Sequence, residues 1–312
     1  MDKEQKKIIQ RKLGFSALRL FVFINGLLPL HFSYILGSFL GRLAYVCVGR
    51  HRRVALEGLA VAFPRASLAQ KRKIARDFFI FLAQGALEMF YFLRNPSALT
   101  QVTIKGKEHL DQALAQGSGV IMVTGHIGNF PLMSLKLVQA GYTVNFITAR
   151  MRDEQAGNYL YTLRSNSGVK TIFSQPRREC VLEITKALRD NEIVIMQMDQ
   201  NFGTGGVWVK FFGTLAATPT GPVTLGLRTH AAVVPAYIYR EGEGKHSVRI
   251  FPQEKLVCLE DKDETVLRNV AQLTRIIETW VREYPAQWGW IHRRWKSRPS
   301  DKIARAKFKI ES

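Results

Sequence analysis

The chain has 312 residues, a formal net charge of +20, 46% hydrophobic residues and 11 prolines. That length and apolar content supply one large α/β domain or two small ones and exclude general disorder. The charge calls for an anionic partner; without zinc-finger spacing, an RNA-recognition aromatic motif or heptads behind a basic region, a membrane is favoured over nucleic acid.

Residues 20–41 contain no Asp, Glu, Lys or Arg over 22 positions, about the length that crosses a hydrocarbon core of roughly 30 Å. Asn25, Gly26, Pro29 and His31 interrupt the run, where a polar group or a missing backbone donor is costly in lipid. Basic residues flank both ends: Lys3, Lys6, Lys7, Arg11 and Lys12 before, Arg50, Arg52 and Arg53 after. That symmetry gives no orientation, whereas a broken helical hairpin dipping into one leaflet puts both basic ends on one anionic face. A simple spanning helix and a buried core helix stay open. A cleaved signal peptide fits poorly, because the run is long and no small-x-small site follows it. The chain thus divides into a membrane-anchoring helical segment over residues 1–50 and a domain over residues 51–312.

Residues 66–95 read as helical, with Ser67 as N-cap and two amphipathic stretches broken near Gly85. Their aromatics, Phe78, Phe79, Phe81, Phe90, Tyr91 and Phe92, suit core packing, or else an acyl-chain groove or membrane contact. After Pro96 strands and helices alternate. Strands are expected at 101–105, 119–124, 143–148, 169–173, 193–198, 232–239 and 247–251. Helices are expected at 108–115, 130–140, 154–165, 179–189, 219–229 and 264–284. This rhythm implies an α/β fold: a mixed, mostly parallel central sheet with helices on both faces. Cys47, Cys180 and Cys258 are odd in number and lack CxxC spacing, which argues against a disulfide framework or a zinc site.

Ligands of open α/β sheets gather where strands end and helices begin. Two such junctions carry unusual polar residues. Gly125-His126-Ile127-Gly128-Asn129-Phe130 follows the uncharged 119–124 strand, and imidazole is the side chain best matched to taking a hydroxyl proton near neutral pH. Asp199-Gln200-Asn201 follows the uncharged 193–198 strand and leads into a glycine-rich loop lacking the Lys-Ser/Thr of a P-loop. Asp199 there orients a polar acceptor or the base, or simply caps a turn. His31, His51, His230 and His246 show no partner pattern.

The run from Gly125 to Phe130 resembles the His-x-Gly-Asn-Trp block of the lipid A biosynthesis lauroyl/myristoyl acyltransferase family. Asp199-Gln200, the stretches 205–213 and 217–222, Val233-Val234-Pro235 and Trp288-Gly289-Trp290-Ile291-His292-Arg293-Arg294-Trp295-Lys296 resemble further blocks of that family, as does Ala62-Phe63-Pro64 upstream. The match is collinear over nearly the whole chain. The resemblance implies transfer of a fatty acyl group from acyl carrier protein, or coenzyme A, to a hydroxyl of a lipid A precursor or related lipid. It implies attachment at the cytoplasmic face of the inner membrane, an anionic lipid acceptor, no nucleic-acid partner, and neither cofactor nor metal. His126 is then the base, the acceptor hydroxyl attacks the thioester directly with no acyl-enzyme, and Asp199 and Arg164 share the catalytic machinery. Gly128, Asn129, Arg150, Gln200, Thr218 and Gly221 fall in substrate-binding positions, with Arg152 a weaker cation. The 292–296 run mixes aromatics with cations, as a lipid headgroup boundary does.

One position departs from the family pattern. Five residues after His126, where the family carries Asp or Glu, stands Pro131. Its side chain cannot accept a hydrogen bond from Nδ1–H, and by analogy with other triads that loss costs on the order of several powers of ten. Three outcomes are open. Another acid, Asp199 ahead of Asp153 or Glu154, holds the ring; a backbone carbonyl does so; or the protein binds lipid without catalysis. Pro131 itself suits the first turn of the following helix, where its missing N–H costs nothing.

Overall fold

The computed structural model describes residues 14–16, 19–151 and 153–299. The basic residues before position 14, Arg152 and the tail from Ser300 lie outside the described residues. Helix α1 (residues 19–27) ends at Leu28-Pro29, and α2 (Leu30–Cys47) starts afresh beyond the proline. α3 (Gly49–Ala62) leaves α2 at 88°. The 20–41 run is therefore broken at Pro29. Among the described residues no single helix is long and apolar enough to cross a membrane.

α2 has two unlike faces. Ser33, Tyr34, Gly37 and Gly41 are buried, the glycines close against Gln84 and Ile80 of α4 (Leu68–Arg94). Phe32, Ile35, Phe39, Leu43 and Val46 recur at helical spacing on the other side and are exposed, as are Leu20, Phe21, Phe23, Ile24 and Leu27 of α1. α4 opens with a capping box: the Ser67 hydroxyl accepts from Gln70 N, and the Gln70 side chain accepts from Ser67 N at 2.7 Å. It then runs unbroken through Gly85, contrary to the expected break. A mid-helix glycine costs only about 1 kcal/mol, which the burial of Phe78, Phe79, Leu87 and Phe92 outweighs.

Among the described residues nine strands follow in chain order: β1 (Val102–Lys105), β2 (Val120–Thr124), β3 (Val144–Thr148), β4 (Lys170–Phe173), β5 (Ile193–Gln197), β6 (Val207–Phe211), β7 (Thr214–Thr218), β8 (Ala232–Gly242) and β9 (Lys245–Ile250). Seven form one sheet in the order β1-β9-β8-β2-β5-β3-β4, parallel at every neighbour except β8 with β9. The helices between them are α5 (Lys107–Leu114), α6 (Phe130–Gln139), α7 (Glu154–Asn166), α8 (Arg177–Arg189) and α9 (Gly221–Thr229), and α10 (Lys262–Glu283) follows β9. The α/β reading holds, because β2 feeds two cores at once. Ile121 and Val123 join Ile184 of α8, Val223 of α9 and Ile277 of α10, while Val120 and Met122 join Leu110 of α5 and Leu132 of α6. A strand buried on both faces must be apolar at every position, which is why β2 and β5 read as uncharged runs.

The hairpin of β6 and β7 has no counterpart among the expected elements. Its two-residue turn, Phe212-Gly213, has φ of 53° and 73°, the positive pair that matches strand twist. Phe212 tolerates this because its N–H donates to Glu278 Oε2 at 2.6 Å and its ring wedges between Phe63 and Trp295.

Candidate active site

β2 and β5 are parallel neighbours with Thr124 opposite Gln197, so the residues that follow each strand emerge side by side. This register brings His126 to Asp199. The imidazole Nδ1 lies 2.7 Å from Asp199 Oδ1, and Asp199 Oδ2 accepts the backbone N–H of His126 at 2.6 Å. A third donor, the indole N–H of Trp288, reaches Oδ2 at 2.7 Å. Gly125 makes this approach feasible: a Cβ there would stand 2.9 Å from Asp199 Oδ2. The carboxylate is buried, while the His126 side chain keeps 18% exposure.

Three N–H groups on a buried acid fix both its charge and the ring tautomer. Burial alone raises the Asp199 pKa; the His126 ring beside it and the hydrogen bonds from His126 and Trp288 outweigh that and hold it at about 2. In the neutral imidazole, an Nδ1–H committed to an ionised carboxylate leaves the lone pair on Nε2. That lone pair faces the Gln200 amide nitrogen at 2.7 Å, and the same nitrogen lies 3.2 Å from His292 Nε2. One amide thus spans two imidazoles whose centroids are 4.9 Å apart. Burial, and then the neighbouring His126, push the His292 pKa down.

The segment after α10 forms the far wall. Gly128 N donates to Gln287 O and Gly289 N to His126 O, both at 2.9 Å, and Ile127 bridges Trp288. Arg294 is fully buried and donates to the carbonyls of Ala217 at 2.5 Å and Gln200 at 3.2 Å and to the Thr218 hydroxyl. Burial pulls its pKa down to about 10, which leaves it cationic at neutral pH. The headgroup-boundary expectation for residues 292–296 is therefore corrected. His292 faces His126, Arg294 clamps β7 and the Gln200 backbone, and Trp295 stacks on Phe211; Arg293 and Lys296 remain at the surface.

Other expected site residues are placed differently from one another. Asn129 points away from the cleft, donating to Gly85 O at 3.1 Å and Glu88 Oε1 at 2.8 Å. Gly128, at φ 61°, sits so tightly on β8 that a Cβ would overlap the Ile238 carbonyl. Both residues shape the loop rather than line its mouth. Thr218 is buried under Arg294, and Gly221 opens α9 against Met196. Arg164 does not touch the imidazole: it lies over Phe146, which stacks on Phe130, whose ring meets His126 at 5.0 Å. Its Nη1 is buried without a partner, and burial lowers its pKa. Arg150 lies over Phe173, 3.8 Å from the ring centroid. Asp153 caps α7 through Ala156 N. Among the described residues no group of three or more His, Cys, Asp or Glu is gathered as a metal would require.

Sequence reasoning missed Trp288 as the second support of Asp199, and His292 and Arg294 as site walls. The signal available was an aromatic run free of acidic residues, which marks burial as readily as a membrane boundary.

The chain matches the sequence model of the bacterial lipid A biosynthesis acyltransferase family over residues 1–297. The chain belongs to that family. It is 29% identical over 281 residues to the lipid A biosynthesis lauroyltransferase of Escherichia coli (strain K12), covering 87% of this chain and 88% of the relative. The palmitoleoyltransferase of the same organism is 26% identical over 283 residues, covering 87% of each. A phosphatidylinositol mannoside acyltransferase of Mycobacterium tuberculosis is 28% identical over 193 residues, covering 62% of this chain and 59% of the relative.

Two buried carboxylates of this acyltransferase predict a loss of stability in acid. Asp199 sits at about 2 against an ordinary 3.8; Glu88, held down by His246 and Arg240 against the opposing effect of burial, sits at about 2 against 4.5. Each folded pKa lies below its unfolded value. The stability each confers is therefore complete above the unfolded value and lost as pH falls toward the folded one. Denaturant titrations are expected to show stability falling as pH drops from 4.5 to about 2. Asp199→Asn and Glu88→Gln should each flatten that slope by about one proton.

Proposed function

We propose that this acyltransferase moves a fatty acyl chain from an acyl-carrier-protein or coenzyme A thioester to a hydroxyl of a lipid A precursor or a related glyco- or phospholipid. His126 acts as general base. The acceptor hydroxyl gives its proton to Nε2 as its oxygen bonds the thioester carbonyl carbon; the C–S bond then breaks, and the proton passes to the leaving thiolate. No acyl-enzyme is formed.

The observation that carries this reading is the His126 Nδ1–Asp199 Oδ1 contact at 2.7 Å with Asp199 buried under three donors. It supplies what Pro131 cannot: an ionised acid that fixes the tautomer in which Nε2 accepts a proton. For a hydroxyl near neutral pH such a base contributes about 10²–10⁴-fold. The exposed apolar faces of α1 and α2 support attachment to the cytoplasmic face of the inner membrane by lying in one leaflet, because they form a largely exposed helical stripe of large apolar side chains. Arg293, Lys296 and Arg298 rim a groove that reaches His292 from the α3 side, which suits the anionic phosphopantetheine arm of the donor.

The test is incubation of the purified protein with fatty acyl carrier protein and lipid acceptors in mixed micelles, followed by mass spectrometry. Expected is an acceptor heavier by one acyl group, with one free thiol per product. Lipid binding without thioester consumption, for every acceptor offered, would replace this reading with a non-catalytic lipid-binding one.

A further inference from the structure

A second cluster of buried charge lies behind the His126 loop and takes no part in the chemistry above. Glu88, from α4, is fully buried. Its Oε1 accepts from Asn129 Nδ2 at 2.8 Å and from Arg240 Nη2 at 2.7 Å. Its Oε2 accepts from the Tyr34 hydroxyl and lies 3.2 Å from His246 Nε2. One carboxylate thus gathers α2 through Tyr34, the His126 loop through Asn129, β8 through Arg240 and β9 through His246.

The same cluster grips the loop a second time. Arg240 N donates to Gln287 Oε1 at 2.8 Å, and Gln287 Nε2 donates back to Arg240 O at 3.0 Å. The Gln287 carbonyl accepts Gly128 N. Two consecutive loop residues, Gly128 and Asn129, therefore hang from Arg240 and Glu88, two and three positions after the base. Arg240 Nη1 closes the network onto Gln84 of α4 at 2.8 Å. A buried ion pair is weak evidence for stability, since well-packed apolar residues of the same volume often serve as well. What this network supplies and apolar packing does not is directional contact between α2 and the loop.

We propose that Glu88 is a positioning residue: through Asn129 it fixes the His126 loop for proton transfer, and through Tyr34 it ties that loop to α2, whose outer face is the exposed apolar stripe. The kinetic arm of the test rests on the acyl-transfer reading; the spectroscopic arm does not.

The experiment is a polarity exchange in the full-length protein. Glu88→Gln keeps the volume and removes the charge. Asn129→Asp sets two carboxylates against each other. The double variant restores an amide–carboxylate pair with the positions exchanged and one negative charge beside Arg240. Each single variant is expected to lose roughly tenfold to a hundredfold in kcat, as a small misplacement of a base does, with KM for donor and acceptor little changed. The double variant should regain at least about tenfold over Asn129→Asp. In parallel, the His126 Cε1–Hε1 NMR signal, identified by its loss in His126→Gln, should move in both single variants and return toward the wild-type position in the double.

A wild-type kcat in Glu88→Gln, or folded single variants that lose activity while the His126 signal stays put, overturns the proposal. If Glu88→Gln does not fold, Tyr34→Phe decides, since it leaves the carboxylate, Arg240 and His246 in place: a moved His126 signal is expected, and an unmoved one overturns the link to α2. A wild type that transfers no acyl group defeats the acyl-transfer reading alone, and the NMR comparison still decides the role of Glu88.

Discussion

Asp199→Asn is expected to lower kcat by on the order of 10³–10⁴-fold while leaving the protein folded. The reason is a count of protons. Three N–H groups converge on Asp199: the His126 ring, the His126 backbone and the Trp288 indole. An asparagine has one acceptor oxygen and must present its NH₂ to one side. If the oxygen keeps the backbone and indole donors, the NH₂ faces Nδ1 and forces the ring into the Nε2–H tautomer, which cannot take a proton from a hydroxyl. Asp199→Ala imposes no tautomer, but it strands two buried donors at about 1–3 kcal/mol each. The expected pattern is the larger rate loss in Asn and the larger fall in melting temperature in Ala. Comparable rates for wild type and Asp199→Asn would remove Asp199 from the mechanism.

His126→Ala is expected to cost on the order of 10²–10⁴-fold in acyl transfer, the contribution of a well-placed general base. Structure and lipid binding should be nearly untouched, because Asp199 keeps the residue-126 backbone N–H and the Trp288 indole as partners. Acyl transfer is measured with carrier-protein thioester and lipid acceptor, and binding with the same lipid in vesicles. Added imidazole should restore part of the lost rate through the space left by the ring. A variant retaining more than about a tenth of wild-type transfer would show that the proton goes elsewhere.

Much of the fold is legible because buried strands leave a plain trace. β2 and β5 carry no charge, and each ends abruptly in polar residues, so both strands and their mouths can be located by inspection. That they lie side by side cannot be read this way: Thr124 and Gln197 are brought into register by crossover helices and not by any local turn. Asp199 is visible as an acid at a strand end, yet its pairing with His126 is a product of that register. The β6–β7 hairpin hides because its positive-φ turn starts with phenylalanine where Asn-Gly or Asp-Gly is the recognised signal. Periodicity also assigns charged residues to solvent, so buried Glu88, His246 and Arg294 leave no trace in it. Arg164 shows the limit of carrying a role across by position, since two aromatic rings stand between its guanidinium and the imidazole.

The amide of Gln200 has a consequence for economy of the donor. Its nitrogen lies 2.7 Å from His126 Nε2, so under the proposed chemistry the lone pair that would take the hydroxyl proton is capped in the resting protein. A thioester that arrives ahead of any lipid meets no free lone pair with which a stray water could be activated. Only a hydroxyl held firmly enough to displace the amide uncovers it. Under that reading Gln200→Ala is expected to raise thioester hydrolysis, seen as thiol appearing without acylated lipid.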